Sequence, residues 1–424
     1  MTGFLVDIQP LKRYREFRLL SAGQLVLYLS AQLSQTAVPF QVFLLSGHST
    51  VQVGLLSLAQ LVPSLIGTAI GGMLADTRDR RNVIVFAQLV TTLSYCGLLA
   101  IALVHVTSIW PLYVVMVVSS AVSGVSGPAQ FAIASSIVSA EDIASTSALL
   151  MLNINVMLVA GPAIGGLVIA QLGFAPTYEI VIACSALGLL MILLMQKVPP
   201  ASRGGPPLSL QAMTDGFTYL RKERVLFASF AIDFEAMVFG MPRVAFPALA
   251  TGFFHGGAGT YGLLAAAPAA GAIVAGFVSG WTANVRRPGL GIIVSVLVWG
   301  GAIALVGVVP VLAVAIVMLA LAGAADLVSG IYRNTILQTS VPDEMRGRMT
   351  AVLFGMANGG NRVGDAETGA AAAIGGARFA VWSGGVACII GALCFAARVP
   401  SLLRYDQQRA LAARIDSDTT HESS

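Results

Sequence analysis

Long apolar stretches, separated by short polar breaks, run through almost the whole chain. A helix needs about 20 apolar residues to cross the hydrocarbon core of a bilayer. Twelve stretches reach that length, so the pattern predicts twelve transmembrane helices. We place them at 19–45, 51–75, 83–104, 110–136, 145–170, 177–196, 225–252, 259–283, 289–308, 311–338, 348–374 and 379–398.

The longest polar break divides the predicted helices into two groups of six. We therefore predict an all-α integral membrane fold with two pseudo-symmetric six-helix halves, residues 1–196 and 225–400. A cytoplasmic linker, 197–224, joins the halves, and a cytoplasmic tail, 401–424, follows the second half. Within the linker, apolar side chains recur at helical spacing over 208–220, which predicts a short amphipathic helix on the inner membrane face.

The basic residues lie on alternate breaks between the apolar stretches. Of the 24 Lys and Arg, all but four fall in segments that this topology assigns to the cytoplasm. The exceptions are Arg243, Arg333, Arg362 and Arg378. By the positive-inside rule, we expect a multi-pass protein of the bacterial cytoplasmic (inner) membrane with both termini in the cytoplasm.

Composition and the lack of catalytic groupings exclude several classes of protein. The chain is 56% hydrophobic and 10% charged, whereas soluble proteins average about 25% charged residues. The net charge of +4 is explained by loop arginines that orient the chain, so no nucleic-acid partner is expected. The four cysteines lie in apolar stretches without metal-ligand spacing, and no histidine lies mid-membrane. We expect no metal, no cofactor and no enzymatic activity.

The second half repeats features of the first at an offset of roughly 200 residues, as in secondary transporters built from repeats. The inner loop with Arg78, Arg80 and Arg81 corresponds to the one with Arg286 and Arg287. Pairs of glycines four residues apart, which favour close helix packing, recur in the second, fifth, eighth and eleventh predicted helices. They are Gly67 and Gly71, Gly161 and Gly165, Gly276 and Gly280, and Gly360 and Gly364.

The loop over 72–81 resembles the signature loop of the major facilitator superfamily, with a Gly-x-Leu-Ala-Asp helix end followed by a basic run. We interpret it as a conformational latch, because Asp76 at a helix end can accept hydrogen bonds from the start of a facing helix. The latch residues are Gly72, Asp76, Arg78, Arg80 and Arg81. Only the first half has this acid, since Asn284 occupies the matching position in the second.

Two further motifs are similar to those of the superfamily's exporters. Gly161, Pro162, Gly165 and Gly166 match the core of its antiporter motif, and 342–348 resembles a loop of its drug- and siderophore-exporting branch. Other stretches similar to siderophore exporters are 49–55, 243–250, 337–342 and 363–365. The resemblance implies a proton-coupled antiporter that exports a siderophore or a similar amphipathic small molecule. A multidrug or macrolide efflux pump of the same superfamily is the alternative, and a non-transporting membrane sensor or scaffold is the alternative of another class.

Ionisable residues inside the predicted helices are concentrated in the second half. Each costs about 2.5–3.5 kcal/mol at the bilayer centre, so each needs a partner or a function. The candidates for proton coupling are Asp365, placed first, then Asp233 and Glu235, then Asp326, with Glu367 last. The candidates for substrate binding are Arg243, Arg333, Arg362, Gln24, Gln32, Gln35 and Tyr332. The competing interpretation is that these acids and arginines pair only to hold the half together. The expected partners are a small-molecule substrate, protons and lipid, and the protein is expected to function as a monomer.

Overall fold

The computed structural model describes residues 9–198 and 210–406, and the other parts of the predicted linker and tail lie outside the described residues. The described chain is almost entirely helical, as predicted. The α-helices, numbered in chain order, are α1 (Gln9–Arg13), α2 (Arg15–Leu45), α3 (Thr50–Ala59), α4 (Leu61–Thr77), α5 (Arg80–Leu103), α6 (Trp110–Ile137), α7 (Ile143–Leu172), α8 (Phe174–Leu193), α9 (Leu210–Lys222), α10 (Arg224–Phe239), α11 (Phe246–Ala248), α12 (Ala258–Val278), α13 (Pro288–Val308), α14 (Leu312–Ser340), α15 (Asp343–Arg398) and α16 (Pro400–Leu403).

Within the described residues, 10 segments are long and apolar enough to cross a membrane. The 31-residue helix α2 is not among them, and one of the ten, Gly359–Arg398, is 40 residues long. That segment contains Gly376 at φ 83°, a left-handed conformation that glycine adopts without steric cost. The multi-pass helical membrane fold is therefore confirmed, and the number twelve stays a prediction.

The predicted seventh helix is interrupted, and this corrects the expectation of one continuous helix over 225–252. Helix α10 ends at Phe239, and a 3₁₀ turn at Arg243–Ala245, the short α11 and a π-helix at Leu249–Phe253 follow it. Pro242 accounts for the break, because proline lacks the backbone N–H and its ring clashes with the carbonyl one turn earlier. The residues before and after the break still belong to one apolar segment, Arg224–Phe253.

The chain divides into two compact units. One comprises Met1–Pro207 with Phe246–Ala266, and the other comprises Leu208–Ala245 with Ala267–Ser424. The predicted limits of the two halves stay predictions. Between the two predicted groups of helices, α9 occupies most of the range in which the amphipathic helix was expected.

Close helix packing in the first unit depends on glycines of α4. A side chain on Gly67 would overlap the backbone carbonyl of Ala121 in α6, and one on Gly71 would overlap that of Val125. Gly124 makes the reciprocal approach from α6 to α4. The predicted pair in the second helix therefore lies where two helices meet backbone to backbone.

The corresponding approach in the second unit uses different glycines from those predicted. Gly271 of α12 lies against the backbone of Ala320 in α14, and Gly323 of α14 lies against that of Pro268. By contrast, Gly276 makes only an ordinary contact, and nothing lies within 4 Å of a side chain placed on Gly280. The prediction for this helix was wrong because α12 ends at Val278, so Gly280 lies beyond the α-helix in a 3₁₀ turn.

Candidate functional site

Two acids and one arginine form an ion-pair cluster in the second unit. Asp233 lies on α10, and Asp326 and Arg333 lie on α14, where a spacing of seven residues puts them on one helix face. Arg333 forms an ion pair with Asp233, and its Nη2 lies 3.8 Å from Asp326 Oδ1. Its Nη1 also donates a hydrogen bond of 3.1 Å to Ser329 Oγ. We call Asp233, Asp326, Ser329 and Arg333 the Arg333 cluster.

The two carboxyl groups of the Arg333 cluster differ in accessibility. The side chain of Asp233 is 7% exposed, whereas that of Asp326 is 37% exposed. With both carboxyl groups ionised, the cluster carries a net charge of −1, and one bound proton makes it neutral. The cluster therefore holds one more carboxyl group than guanidinium groups, and the more exposed of its two carboxyl groups is that of Asp326.

A second cluster, which we call the Arg243 cluster, consists of Arg243, Arg362 and Asp365. Arg243 Nη2 donates to Asp365 Oδ2 at 3.2 Å. Arg362, three residues before Asp365 on α15, interacts electrostatically with both Asp365 and Arg243. The Asp365 side chain is 7% exposed and that of Arg243 is 45% exposed. In contrast to the Arg333 cluster, this cluster holds more guanidinium groups than carboxyl groups.

The Arg243 cluster lies at the break that follows α10. The backbone from Gly240 to Pro242 is not helical, so its carbonyl groups lose their helical partners. Trp299 on α13 supplies one replacement, because its Nε1 donates to the carbonyl oxygen of Gly240 at 2.8 Å. Gly364 on α15 packs against the backbone of Val238, which holds α15 close to the end of α10.

The remaining acidic candidates lie away from both clusters. Glu235 is two residues from Asp233 and therefore on the opposite face of α10. Its carboxyl group packs against Gly391 of α15, and both of its oxygens are buried without a hydrogen-bond partner among the described residues. Glu367 is likewise two residues from Asp365, and its Oε2 is buried without a described partner. The structure thus separates acids that are close neighbours in the sequence.

The uncharged substrate-binding candidates are not alike in their surroundings. Gln24 is buried, Gln32 is half-buried and Gln35 is exposed, although all three lie on α2. Tyr332 is 3% exposed, and its ring packs against Gly291 of α13 and, edge-on, against Trp281. Such packing explains Tyr332 without a ligand.

The latch residues occupy the end of α4 and the start of α5. Arg80 is buried and donates to Ser136 Oγ at 2.6 Å, and Arg81 donates to the carbonyl oxygens of Ile192 and Leu193 at the end of α8. Arg78 is exposed, and the Asp76 side chain lies outside the described residues. The contacts described for Arg80 and Arg81 therefore join the loop to the C-terminal ends of α6 and α8. Gly72 has nothing within 4 Å of a side chain placed on it.

The antiporter-motif residues Gly161, Pro162, Gly165 and Gly166 are all buried on α7. Gly161 and Gly165 lie against α2, where Gly161 contacts the side chain of Gln32. Gly166 lies against the backbone of Gly262 at the start of α12, within the first unit. The motif therefore lets α7 approach two other helices closely.

Two tyrosines that were not among the predicted site residues form hydrogen bonds at helix ends. Tyr14 Oη donates to Asp142 Oδ2 at 2.8 Å, and Arg13 forms an ion pair of 3.5 Å with the same carboxylate. Tyr405 Oη lies 2.8 Å from both Thr339 Oγ1 and Ser340 Oγ. For Tyr14, the available signal was the acidic pair Glu141-Asp142 just before α7. Ser329, which accepts a hydrogen bond from Arg333, was also not predicted as a site residue. Its position one helical turn before Arg333 was the available signal.

Comparison with known proteins identifies the family. The model of the family described as "Transmembrane secretion effector" matches residues 8–417. The chain is 30% identical over 375 residues to the enterobactin exporter EntS of Salmonella typhimurium, which covers 87% of this chain and 88% of that protein. It is also 30% identical over 369 residues to the enterobactin exporter of Shigella flexneri, with 87% of each chain covered.

Solved structures agree at the level of the fold. The nucleoside transporter NupG superposes with a TM-score of 0.73 at 13% identity, over 90% of this chain and 98% of that one. A bacterial homologue of the lysosomal transporter Spinster, inward-facing and unoccupied, gives 0.70 at 18% identity, over 93% and 99% of the two chains. These relatives and the family are transporters, which confirms that the chain is not an enzyme. The chain belongs to the major facilitator superfamily of membrane transporters, in the family of transmembrane secretion effectors.

Proposed function

We propose that this protein is a proton-coupled antiporter that exports a siderophore or a similar amphipathic small molecule across the bacterial cytoplasmic membrane. The observation that carries the proposal is the 30% identity to enterobactin exporters over 87% of the chain. The basic inner loops support an orientation with both termini in the cytoplasm. The expected functional unit is the monomer.

Proton coupling is supported by the charge balance of the Arg333 cluster. Two carboxyl groups share one guanidinium, so gaining and losing a single proton moves the cluster between neutral and negative. Asp326 has the more exposed carboxyl group and Asp233 the more buried one. These contacts favour the pair over Asp365, which faces two arginines and is neutralised without a proton. Asp365 stays a candidate, since taking up a proton would release its ion pair with Arg243.

The available driving force is adequate for export. One proton entering down about 100 mV releases about 2.3 kcal/mol. A pH difference of one unit adds about 1.4 kcal/mol. Together these sustain a substrate gradient of roughly a few hundred-fold, before any charge on the substrate is counted.

Secretion under iron limitation tests the proposal in cells. An enterobactin-producing strain that lacks its own exporter is given this gene, and enterobactin is measured in the medium and in the cells. The proposal predicts restored secretion with the wild-type chain and loss of that secretion with Asp326→Asn. If the wild-type chain is present in the membrane and enterobactin stays inside, the siderophore assignment is wrong. A drug-susceptibility panel on the same strains then tests the efflux-pump alternative.

A further inference from the structure

A cavity of about 410 Å³ opens between helix ends of the first unit, whereas both ion-paired clusters belong to the second. It is lined by residues at or just beyond the C-terminal ends of α2, α5 and α7, and by the start of α8. The predicted topology places these helix ends on the outer side of the membrane. Pockets of about 300–1,000 Å³ hold small ligands in proteins, so this cavity has room for a small molecule.

The wall of this cavity is mostly apolar. None of the described residues that line it is Asp, Glu, Lys or Arg. Phe174 supplies an aromatic ring, which lies 6.3 Å from the ring of Phe40. The aliphatic surface comes from Leu45, Ile101, Val106 and Leu172. Because an ionised ligand would lose its hydration here without gaining a counter-charge, the wall favours an uncharged molecule with an apolar or aromatic body.

Gln41 brings a buried amide group to the cavity wall. The residue is 6% exposed, and its Oε1 accepts a hydrogen bond of 2.5 Å from Tyr178 Oη. No hydrogen bond of Gln41 Nε2 is found among the described residues, although buried polar groups are normally paired. Since Tyr178 holds the oxygen of the amide, the two N–H groups on Nε2 are left for an acceptor oxygen in the cavity.

His105 brings the complementary acceptor. Its Nδ1 lies 2.9 Å from the carbonyl oxygen of Ala102. Because a carbonyl oxygen can only accept, Nδ1 carries the proton of this hydrogen bond. Nε2 of the neutral ring is then an acceptor. The cavity therefore presents one amide donor and one nitrogen acceptor within an otherwise apolar wall.

We propose that this cavity binds an uncharged aromatic molecule that carries a carbonyl group and a hydroxyl group. The carbonyl oxygen accepts from Gln41 Nε2, the hydroxyl group donates to His105 Nε2, and the aromatic body packs against Phe174. Pairing the buried amide and covering the apolar wall both favour binding. This inference goes beyond the proposed function, since the site requires neither a proton gradient nor transport.

Three probes of similar size test the chemical class of the ligand. 4′-Hydroxyacetophenone carries both polar groups, 4′-methoxyacetophenone lacks the hydroxyl hydrogen, and 4-hydroxybenzoate replaces the methyl group by a charged oxygen. The full-length protein in nanodiscs is titrated with each probe, and empty nanodiscs give the background. We expect 4′-hydroxyacetophenone to bind about tenfold more tightly than either of the others. If the methoxy compound or the benzoate binds equally well, the proposal is wrong.

His105→Asn tests the acceptor without straining the backbone. His105 has a φ of 55°, and asparagine is among the residues that tolerate this left-handed conformation. The variant is expected to bind 4′-hydroxyacetophenone about tenfold more weakly and to lose the preference over the methoxy compound. The matched control is His255→Asn, at another exposed histidine of the first unit with a φ of 51°, which does not line the cavity. Equal affinities of the two variants would remove His105 from the site and overturn the proposal.

Gln41→Met tests the buried amide, and Tyr178→Phe controls for the hydrogen bond between these two residues. Both substitutions remove that bond, but Tyr178→Phe keeps the N–H groups of Gln41. We expect Gln41→Met to weaken binding of 4′-hydroxyacetophenone about tenfold and Tyr178→Phe to change it less than about threefold. Equal weakening would mean that Gln41 only supports Tyr178, which would also overturn the proposal. Because binding is measured without a gradient, these outcomes do not depend on whether the protein exports enterobactin.

Discussion

Arg333 on α14 forms an ion pair with Asp233 on α10, and both side chains are almost fully buried. Two helices that are separated by about a hundred residues in sequence are thereby joined through opposite charges inside a membrane-spanning unit. Asp326 adds a second carboxyl group to the same guanidinium at 3.8 Å. The packing of α10 against α14 and the proton exchange that we propose therefore involve the same three side chains.

Arg333→Gln is expected to destabilise the protein by about 3 kcal/mol, because it leaves the buried Asp233 carboxylate without its cation. Thermal unfolding in detergent measures the effect. The double variant Arg333→Gln/Asp233→Asn is expected to recover part of the loss, since it removes the unpaired charge as well. A double variant as unstable as the sum of the two single variants would show that the side chains act independently.

Gly391→Ala is expected to destabilise the protein by about 1 kcal/mol, because the added methyl group overlaps the Glu235 carboxyl group and forces it to move. In a Glu235→Ala background, the same substitution is expected to leave the free energy of unfolding unchanged. Gly301→Ala is the matched control, since nothing lies within 4 Å of a side chain placed on Gly301. Equal destabilisation by Gly391→Ala with and without Glu235 would contradict the described contact.

Gly67→Ala is expected to separate α4 from α6 and to cost about 2 kcal/mol or more, because the overlap is with backbone that cannot rotate away. The yield of folded protein and its unfolding temperature are the measurements. Gly127→Ala on α6, where a side chain has free space, is the control. If both substitutions behave alike, the close approach of α4 and α6 is not required.

Tyr14→Phe is expected to cost about 1 kcal/mol, since it removes a part-buried hydrogen bond to the Asp142 carboxylate. Tyr28→Phe is the matched control, because no hydrogen bond of the Tyr28 hydroxyl is found among the described residues. The comparison is made by thermal unfolding of the two variants. An effect of the same size at both positions would mean that the Tyr14 hydroxyl contributes nothing specific.

The helices could be predicted from the sequence because apolar length and loop charge are local signals. The spacing of Asp326 and Arg333 placed them on one face, and the structure brings them to 3.8 Å. What could not be predicted depends on contacts between distant segments. The partner of Asp365 is Arg243, 122 residues away, and no local pattern distinguishes it from the adjacent Arg362. The opposite surroundings of Asp233 and Glu235 likewise depend on which helices pack against α10.

The break after α10 shows how a local signal can be overruled by hydropathy. Pro242 marks a helix interruption, yet the apolar run over 225–252 favoured a single helix. Trp299 makes the interruption tolerable by bonding to the carbonyl oxygen of Gly240, and it lies 59 residues away in the chain. Recognising such compensation requires the structure.

Proton-coupled export is measured in inside-out membrane vesicles whose lumen has been made acidic. Enterobactin uptake and lumen pH, reported by a trapped dye, are followed together. We predict that vesicles with the wild-type chain accumulate enterobactin while their lumen becomes more alkaline, and that Asp326→Asn abolishes both signals. If accumulation does not depend on the pH gradient and persists in Asp326→Asn, proton coupling through the Arg333 cluster is contradicted. If no enterobactin accumulates at all, siderophore export is contradicted.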